Sequence, residues 1–373
     1  MKVLFFVRSL DLGGSQRQLA ALAAGLARRG HQVVVVMFYG GGSNETTLAG
    51  TSVRLIDLEK LGRWDIVRPY VRLWWLIRSE RPDILYPFLP TQTALAALLA
   101  PLWSATRLVF GVRAAGMQSA YYDSLSSLTY KLEVWTSRRA DLIIANAQAG
   151  RDDAIRRGMP ADRIAIIPNG IDTEAARPDI SVRRELRARW NIDDNSFVIG
   201  LVARLDPMKD HGNFLDAAAQ FSKLEAGARF VCVGGGPDRY RESLEAQAQS
   251  LGLGDRIVWA GEIADARTVY NAFDITTLSS AFGEAFPNAV GEAMACGVPV
   301  VATDVGDVAS IVGALGEIVP PRDAERLCAG WMRLRQRLID EPDLRRAVRE
   351  RMVATYGVDA MVAQTEETLT KIL

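Results

Sequence analysis

Two cations lie close together in the second half of the chain, directly after an apolar run. Arg204 and Lys209 belong to the segment Ala203–Asp210, which follows the run Phe197–Val202. A guanidinium offers a planar fork of donors and an ammonium offers a compact point charge, so the two together can clamp a diphosphate. The alternative interpretation of the same pair is two solvated surface cations.

Two glutamates stand eight positions apart around a predicted helix start. Glu284 and Glu292 lie in the segment Ser280–Ala293, where Pro287 suits the first turn of a helix. The amides around Phe286–Ala289 would then be free to bind an anion at the helix N-terminus. A carboxylate is unfavourable beside an anion, so we expect Glu284 to contact a hydroxyl-rich group. Glu292, in an apolar helix, indicates a buried acceptor for ribose hydroxyls, unless structural partners satisfy it.

Two loops that contain glycine accompany these residues. Gly234, Gly235 and Gly236 follow the apolar run Arg229–Val233. Backbone without side chains permits close approach of a ligand, although a glycine-rich turn between a strand and a helix is common in α/β folds. The other loop and its strand, Gly297–Asp304, are interpreted mostly as architecture.

Around these residues the chain repeats a short apolar run followed by a helical pattern. Ser15–Arg29, for example, carries leucines at helical spacing and ends at Gly30. The first-half strands are predicted at Lys2–Val7, Gln32–Phe38, Val53–Leu58, Ile84–Phe88, Leu108–Val112, Leu142–Asn146 and Ile164–Ile167. The second-half strands are predicted at Phe197–Val202, Arg229–Val233, Arg256–Trp259, Asp274–Leu278 and Pro299–Ala302. This alternation predicts doubly wound parallel sheets.

The alternation is interrupted after Pro168-Asn169-Gly170 by a polar stretch that runs to about Asn195. Single cores rarely grow beyond about 250–300 residues, and this chain has 373. We predict two Rossmann-like domains, 1–170 and 171–355, and a helix in 356–373 that packs back on the first domain. Ligands of such sheets bind at the carboxyl ends of the strands, so we expect the site in a cleft that the two domains face.

The composition is that of an ordinary globular enzyme, with 49% hydrophobic and 24% charged residues. The three cysteines, Cys232, Cys296 and Cys328, have no metal-ligand spacing, which favours a reducing compartment without disulfides or structural zinc. The apolar stretches Val3–Val7 and Ala94–Trp103 are too short for a leader or a membrane span. We therefore expect a cytoplasmic protein that does not cross a membrane.

Taken in order, the motifs form a set that is more specific than any one of them. They are Gly13–Arg17, Arg81–Leu85, Pro168–Asp172, Ala203–Asp210, Gly234–Pro237 and Ser280–Thr303 with its two glutamates. The set resembles the family-four retaining glycosyltransferases over nearly the whole chain. This resemblance implies the GT-B fold, with an acceptor-binding first domain and a second domain that binds a nucleotide-sugar donor.

The resemblance also implies roles for single residues. Arg204 and Lys209 would hold the β-phosphate of the donor, and Glu284 would bind its sugar hydroxyls; these three are the predicted catalytic residues. The residues implied to bind the donor are Gly13, Gly14, Gly234, Gly235, Gly261, Ile263, Phe286, Pro287, Asn288, Ala289 and Glu292. Among them, Glu292 would bind the ribose, the Gly261–Ile263 loop would meet the base, and the first-domain glycines would let their loop close over the diphosphate.

The chemistry implied by the resemblance uses no metal and no other cofactor, because cations of the protein stabilise the leaving diphosphate. The sequence has no Asp-x-Asp pair in a plausible site, which agrees with this expectation. The resemblance implies that retention follows from attack on the same face, with the leaving phosphate helping to remove the acceptor proton. Stabilisation of charge on the leaving group is then the main catalytic effect.

The chain departs from the family pattern in its histidines and at one alanine. Many relatives carry a histidine in the first domain near the donor sugar, where this chain has Arg113, a candidate contact for the acceptor or a phosphate. His31 and His211 are the only histidines, and we expect a structural role for His31 and capping or packing for His211. Ala285 stands where the family usually has glycine.

One predicted helix, Trp64–Arg81, mixes tryptophans with arginines that include Arg63 just before it. A basic amphipathic helix with tryptophans is typical of a membrane surface. A helix on a Rossmann-like sheet must nevertheless bury one apolar stripe, and Val67, Val71 and Trp74 have the spacing for it. We therefore predict that these three side chains pack inward.

The charge of the chain is asymmetric although its formal sum is zero. Residues 1–170 hold 21 Lys and Arg against 13 Asp and Glu, a net charge of +8, and residues 171–373 hold 23 against 31, a net charge of −8. Trp75 with Arg68 and Arg72 forms a second face of the same helix. The two features indicate an anionic membrane or lipid-linked acceptor at the first domain, or else chance variation in solvated charge.

The preferred function is transfer of a sugar from a UDP- or GDP-sugar to a growing cell-surface glycan or lipid-linked intermediate, without nucleic acid. A nucleotide-sugar epimerase of the same fold is one alternative, but the shortage of histidine for acid–base chemistry disfavours it. A two-lobed binding protein without enzymatic activity is the other, and such proteins typically carry an export leader.

Overall fold

The computed structural model describes residues 1–11, 13–62, 64–65, 67–99, 105–113, 115, 124–263 and 265–373, with only the backbone of 124–128. Arg63 and the end of the predicted apolar stretch Ala94–Trp103 lie outside the described residues. The chain divides into two compact units. Unit 1 is Met1–Gly170 with Val358–Leu373, and unit 2 is Ile171–Gly357.

Within its described residues, unit 1 is built on seven parallel strands. They are β1 (Lys2–Val7), β2 (Gln32–Met37), β3 (Arg54–Asp57), β4 (Ile84–Pro87), β5 (Arg107–Val112), β6 (Leu142–Ala145) and β7 (Ile164–Ile166). Their order across the sheet is β3-β2-β1-β4-β5-β6-β7. The direction in which strands are added reverses between β1 and β4, as in a doubly wound sheet.

Unit 2 has six strands in the part of the chain that the structure covers. They are β8 (Val198–Val202), β9 (Arg229–Val233), β10 (Ile257–Gly261), β11 (Ile275–Leu278), β12 (Val300–Thr303) and β13 (Glu317–Val319). All are parallel, in the order β10-β9-β8-β11-β12-β13, and the reversal falls between β8 and β11. The prediction of two Rossmann-like parallel-sheet domains is confirmed.

Helices connect the strands of both sheets, and three more helices follow the last strand. They are α1 (Gly14–Arg28), α2 (Val67–Glu80), α3 (Pro90–Leu99), α4 (Ser124–Thr136), α5 (Gln148–Arg156), α6 (Ile180–Arg189), α7 (His211–Leu224), α8 (Asp238–Ser250), α9 (Asn288–Ala295), α10 (Val308–Val312), α11 (Ala324–Asp340), α12 (Leu344–Thr355) and α13 (Val358–Thr370). In the described part of the chain, no helix combines the length and apolar character needed to cross a bilayer.

Strand β1 shows why the strands are apolar at consecutive positions of the sequence. Val3 and Phe5 belong to the core layer that contains α1 and α13, whereas Leu4 and Phe6 belong to the opposite layer. Because helices cover both faces of a parallel sheet, neither set of alternate side chains reaches water. The β-branched and aromatic side chains of the central strands are therefore buried on both faces.

The carboxyl-terminal helix α13 packs against α1 within unit 1. A side chain at Gly25 would place its Cβ 2.3 Å from Val362, so the glycine permits the close contact. Beside it, Glu366 accepts from Arg29 and lies 2.6 Å from His31 Nε2. His31 thus contributes to the packing of α13, in agreement with the structural role expected for it.

Trp331 of α11 lies at the centre of the unit 2 core. Its ring is completely buried and contacts Phe214, Phe221 and Phe230 at centroid distances of 5.4–6.0 Å. Its indole N–H donates to Thr277 Oγ1 at 2.9 Å, which satisfies the only polar group of the ring. This cluster anchors α11 against β11, the strand that leads into the candidate site.

The face of α2 that packs inward differs from the predicted one. Val67 is 76% exposed, Val71 is 48% exposed and Trp74 is half-buried. The buried residues of this helix are Pro69, Leu73 and Ile77. These three recur every four residues and turn the helix so that Val67, Val71 and Trp75 point outward. The prediction of an inward stripe through Val67 and Val71 is wrong.

Candidate functional site

The polar side chains best suited to binding or catalysis lie where the strand order of unit 2 reverses. Ligands of open α/β sheets bind outside the carboxyl ends of the strands at such a point. The segment after β8 contains a short 3-10 turn, Pro207–Lys209, and the segment after β11 leads to α9. Two predicted catalytic residues, Lys209 and Glu284, lie on these neighbouring segments.

Buried hydrogen bonds fasten these two segments to each other. Ser279 Oγ donates to the carbonyl oxygen of Lys209 at 2.7 Å. Thr303, at the end of β12, donates to the carbonyl oxygen of Ser280 at 2.7 Å. Ser279, Ser280 and Thr303 are completely buried, so these bonds are shielded from water. The backbone that carries the charged residues is therefore held in one arrangement.

Lys209 and Glu284 form a direct ion pair. Lys209 Nζ lies 2.5 Å from Glu284 Oε1, and Ser280 Oγ donates to the same oxygen at 2.7 Å. Only 17% of the lysine side chain and 8% of the glutamate side chain are exposed. Among the described residues, no hydrogen-bond donor reaches Oε2. The sequence predicts that Lys209 binds the donor phosphate and that Glu284 binds the donor sugar. In the structure the two side chains also bind each other.

The other predicted cation is placed differently. The Arg204 side chain is 71% exposed, and its Nη2 lies 3.3 Å from Asp206 Oδ2. Asp206 also accepts from the Met208 amide at 2.9 Å and so caps the 3-10 turn. Arg204 and Lys209 therefore have different carboxylate partners, and only Lys209 is held in a largely buried position.

The glycine turn after β9 brings two backbones together. At Gly234, which has φ +147°, a Cβ would lie 2.0 Å from the Ala203 carbonyl oxygen. At Gly236 it would lie 2.5 Å from the Leu205 carbonyl oxygen. These two glycines contact the segment after β8, so the absence of side chains serves chain packing there. That a ligand also approaches the bare backbone of this turn stays a prediction.

The remaining glycines of this region lie where side chains would have more room. A Cβ at Gly235 would meet the Glu262 side chain only at 3.4 Å, an ordinary contact distance. Gly261 has φ +69° and no heavy atom within 4 Å of the Cβ position. Glycine is thus favoured at 261 by backbone conformation. Ile263, on the same loop, is half-buried.

Helix α9 begins one residue later than the sequence indicates. Pro287 occupies the N-cap with an extended backbone, and the first helical residue is Asn288. The proline therefore ends the loop and does not lie in the first turn, since its ψ of 106° is not helical. Phe286 packs edge-on against Tyr356 at 5.4 Å, and Ala289 is half-buried.

Glu292 lies in the middle of α9 and is 5% exposed. The hydroxyl of Tyr270, which is completely buried, donates to Glu292 Oε2 at 3.2 Å. The carboxylate thus has a structural partner, as the alternative interpretation required.

Ala285 causes no backbone conflict beside Glu284. Its φ is not positive, and its carbonyl oxygen accepts from the Asp307 amide at 3.0 Å. The positions that need glycine are Gly283, with φ +81°, and Gly306, with φ +59°. At Gly306 a Cβ would also lie 2.6 Å from the Glu284 carbonyl oxygen. The usual glycine of the family is therefore dispensable at position 285.

Arg113 follows β5 in unit 1 and is held by neutral groups. It donates to the Tyr86 hydroxyl at 2.9 Å and to Asn169 Oδ1 at 3.2 Å. Its guanidinium carbon lies 4.4 Å from the centroid of the Phe88 ring, within cation–π distance. No carboxylate among the described residues pairs with it. Burial raises the pKa of Tyr86, so this phenol stays a neutral partner.

The first-domain glycines and the second histidine complete the predicted residues. Gly13 is the N-cap of α1 with an extended φ of 170°, and Gly14 is the first residue of that helix. His211 is the first residue of α7 and is completely buried, while Asp210 provides the cap. Burial and the nearby charge of Lys209 lower the pKa of His211 to about 4. His211 is thus neutral at physiological pH and has a packing role.

Four polar residues of this region were not predicted from the sequence: Ser279, Ser280, Thr303 and Tyr270. Small hydroxyl residues in a loop have no periodicity that would distinguish them from ordinary turn residues. Tyr270 belongs to a short 3-10 segment, Val269–Ala272, whose pattern is too brief to interpret. In the described ranges, no group of three or more His, Cys, Asp or Glu side chains has a metal-binding arrangement.

Two sequence families match successive parts of the chain. Glycosyltransferase Family 4 matches residues 12–175, and Glycosyl transferases group 1 matches residues 196–337. A D-inositol 3-phosphate glycosyltransferase of Acidothermus cellulolyticus is 34% identical over 188 residues, which are 48% of this chain and 41% of that protein. A GDP-mannose-dependent alpha-(1-6)-phosphatidylinositol monomannoside mannosyltransferase of Mycobacterium tuberculosis is 30% identical over 223 residues, 56% of each. The matched regions span about half the length of these relatives.

Solved structures share the fold over the full chain. Anabaena Alr3699/HepE in complex with UDP-glucose superposes with a TM-score of 0.86 at 23% identity, and all of both chains is covered. WaaG, a glycosyltransferase involved in lipopolysaccharide biosynthesis, superposes with a TM-score of 0.74 at 17% identity, with 99% of each chain covered. At these identities the likeness establishes the fold, which confirms the GT-B prediction.

Proposed function

The chain belongs to the group 1 and family 4 glycosyltransferases, and we propose that it moves a sugar from a nucleotide-diphosphate sugar to an acceptor with retention of configuration. The observation that carries this proposal is the enclosed Lys209–Glu284 pair at the strand reversal of unit 2. A cation and a carboxylate held side by side suit a donor whose diphosphate adjoins a hydroxyl-rich sugar. UDP- and GDP-sugars are the candidate donors.

Lys209 is proposed to stabilise the leaving diphosphate. An ammonium group has three donors, of which one serves Glu284, so two remain for phosphate oxygens. The exposed Arg204 fork would complete the clamp when a donor binds. Charge develops on the leaving oxygen as the glycosidic bond breaks, and donors already in place stabilise it without reorganisation.

Glu284 and Glu292 are proposed to bind different parts of the donor. Oε2 of Glu284, which no described donor reaches, would accept from a sugar hydroxyl. Glu292, steadied by Tyr270, would accept from the ribose. The acceptor hydroxyl would then attack the face that the diphosphate leaves, and the leaving phosphate would take its proton. We propose that no metal or other cofactor takes part.

Arg113 is proposed to contact an anionic part of the acceptor. Its guanidinium is fixed by neutral partners, so its charge is available to an anion. Two relatives are named for acceptors that carry phosphorylated inositol, which supports an acceptor with a phosphate. We also propose that this acceptor is lipid-linked. Unit 1 would then associate peripherally with the anionic cytoplasmic leaflet through the outward side chains of α2.

A panel of UDP- and GDP-sugars tests the donor. We expect one of them to raise the unfolding temperature and to be hydrolysed slowly without acceptor, because water can replace the acceptor hydroxyl. Free ligand at 100 times its Kd stabilises a protein by about 2.7 kcal/mol, which a melting scan resolves. If no nucleotide sugar stabilises the protein or is hydrolysed, the proposed function is wrong.

A chelator tests the metal-free mechanism in the same assay. We expect hydrolysis and transfer to continue at unchanged rates in EDTA, because Lys209 and Arg204 supply the positive charge. Loss of activity that magnesium or manganese restores would contradict this part of the proposal. Product stereochemistry, read by NMR from the anomeric proton immediately after transfer, tests retention.

A further inference from the structure

Ser280 has an enclosed hydroxyl whose hydrogen bond goes to one oxygen of Glu284. The serine lies four residues before the glutamate, is completely buried, and donates to Oε1 at 2.7 Å. Its own carbonyl oxygen is held by Thr303 at 2.7 Å. The main chain of the serine is thus fixed at the end of β12, and the hydroxyl has a fixed direction toward the carboxylate.

A glutamate paired with an ammonium group alone would not have a defined orientation. The carboxylate ends a side chain with three rotatable torsions, and either of its oxygens can serve the same cation. Ser280 adds a second donor to the oxygen that already binds Lys209 Nζ. The two donors together select one rotamer, in which Oε1 is occupied and Oε2 keeps its acceptor capacity.

We propose that Ser280 is a positioning residue of the donor site. Its hydroxyl commits Oε1 of Glu284 to the protein and presents Oε2 to a hydroxyl of the donor sugar. The same bond holds the carboxylate where Lys209 keeps two N–H groups for the diphosphate. This inference rests on the proposed function, because it assigns the sugar-binding oxygen of that site.

The neighbouring Ser279 shows what a purely structural serine does in this segment. It is equally buried, but its hydroxyl donates to the main-chain carbonyl of Lys209 and not to a side chain. Each hydroxyl satisfies one buried acceptor of the same two-segment arrangement. Substitution by alanine removes the same atom in both cases, so Ser279→Ala is a matched control for Ser280→Ala.

The first measurement is hydrolysis of UDP-glucose and GDP-mannose by the full chain and its variants, using whichever is the better substrate. We expect Ser280→Ala to lower kcat about 10-fold, the effect of losing one hydrogen bond to a charged group. Binding of the matching nucleotide diphosphate, UDP or GDP without sugar, should change less than about 2-fold, because Glu284 meets the sugar. If Ser280 had only a structural role, Ser280→Ala would lower kcat for the nucleotide sugar and the affinity for the nucleotide diphosphate together.

The second measurement is a pair of double-mutant cycles with Glu284→Ala. Once the carboxylate is gone, Ser280→Ala should lower kcat by less than about 2-fold further, since its target is missing. Ser279→Ala should have the same effect with and without the carboxylate. Equal Ser280→Ala losses in both backgrounds would overturn the inference. Ser280→Cys, which nearly keeps the volume with a weaker donor, should fall between serine and alanine and replaces alanine if that variant does not fold.

The outcomes separate this inference from the proposed function. If the unaltered protein binds and hydrolyses neither nucleotide sugars nor their diphosphates, the proposed function fails. If the protein is active and Ser280→Ala retains full kcat, only the role of Ser280 is wrong.

Discussion

The two sheets present charge differently at the carboxyl ends of their strands. In unit 2, Lys209 and Glu284 neutralise each other at 2.5 Å in a largely buried position. In unit 1, Arg113 is held by the Tyr86 hydroxyl, by Asn169 and by the face of Phe88. The first arrangement is neutral before any ligand arrives, whereas the second keeps a net positive charge.

This difference determines how each site should respond to mutation. Removing one member of an enclosed ion pair leaves the other uncompensated, which is costly in itself. Lys209 and Glu284 should therefore behave as a coupled unit. Arg113 has no described carboxylate partner, so its removal strands no opposite charge. Substitution of Arg113 should therefore affect only the ligand that Arg113 contacts.

The largest effect is expected at the ion pair. Lys209→Ala should lower turnover at least about 100-fold, because charge on the leaving diphosphate loses its stabilising donor. The double variant with Glu284→Ala should lose less than the product of the two single losses, since the partners act together. Rates of transfer or hydrolysis provide the measurement, and Lys223→Ala, an exposed lysine on α7, is the control. Independent, multiplicative losses would show that the pair is not a unit.

Arg204 offers a comparison within unit 2. The sequence predicts a loss of at least about 100-fold for Arg204→Ala as well, with the fold intact. Because this side chain is exposed and paired with Asp206, its loss should be independent of Glu284. Kinetics of the single variant and of its combination with Glu284→Ala measure this. Near-normal turnover of Arg204→Ala would remove it from the diphosphate clamp.

A smaller effect separates the two glutamates. Glu292→Gln should weaken binding of the nucleotide diphosphate about 10-fold, because it loses an acceptor for the ribose hydroxyls. Glu284→Gln should chiefly slow chemistry and change that affinity little, because its Oε2 is proposed to bind the sugar and not the nucleotide. Calorimetric titration of both variants with the diphosphate of the preferred donor decides the matter. Equal losses of affinity would contradict this division.

The fold was predictable from the sequence because burial on both faces leaves a strong pattern. β1 and β9 were predicted with their observed bounds, and most other strands differ by one or two residues. β13 was missed because it has three residues at the sheet edge, two of them only half-buried. The face of α2 was mistaken because this helix carries two apolar stripes, and only contact with the sheet decides which is buried.

The site was predictable only in part. The rule for carboxyl ends of strands placed the segments of Lys209 and Glu284 at one edge of the sheet. It did not predict their direct contact, because the two are 75 positions apart and their side-chain rotamers depend on loop geometry. Gly234 and Gly236 show a second limit. The sequence predicts bare backbone that a ligand can approach, but it did not indicate the close contact between two backbones that these glycines permit.

A more confined effect is expected in unit 1. Arg113→Gln should raise the acceptor KM about 5-fold and leave donor hydrolysis unchanged, because one hydrogen bond to a charged group is lost on the acceptor side. Steady-state kinetics with a phosphorylated acceptor measure the acceptor KM, and kinetics with water alone measure donor hydrolysis. Arg107→Gln, which removes a half-exposed arginine paired with Asp141, is the control. A parallel loss of donor hydrolysis would place Arg113 on the donor instead.

The smallest effect concerns the outward face of α2. Val67 and Trp75 are 76% and 60% exposed, whereas Arg68 and Arg72 both pair with Glu59. A basic residue near an anionic leaflet contributes about 1 kcal/mol at most, and these pairs reduce that contribution. Apolar side chains should therefore matter more than the arginines. We expect Trp75→Ala to weaken sedimentation with anionic vesicles several-fold, and Arg68→Glu with Arg72→Glu to weaken it less at high salt than at low salt.

The vesicle experiment has an internal standard because α2 and the proposed catalytic residues Lys209 and Glu284 belong to different units. Each α2 variant should hydrolyse the nucleotide sugar at the normal rate, since none changes Lys209 or Glu284. A variant that loses both vesicle binding and hydrolysis is misfolded, so it does not test the proposed membrane contact.

Salt distinguishes the two kinds of contact. Screening shortens electrostatic attraction to about 8 Å at physiological salt, whereas burial of an indole is insensitive to salt. Binding that vanishes with salt would assign the contact to the arginines alone, and equal binding to neutral and anionic vesicles would assign it to the apolar face. Absence of binding to both at low salt would show that the +8 charge of residues 1–170 is ordinary solvated charge.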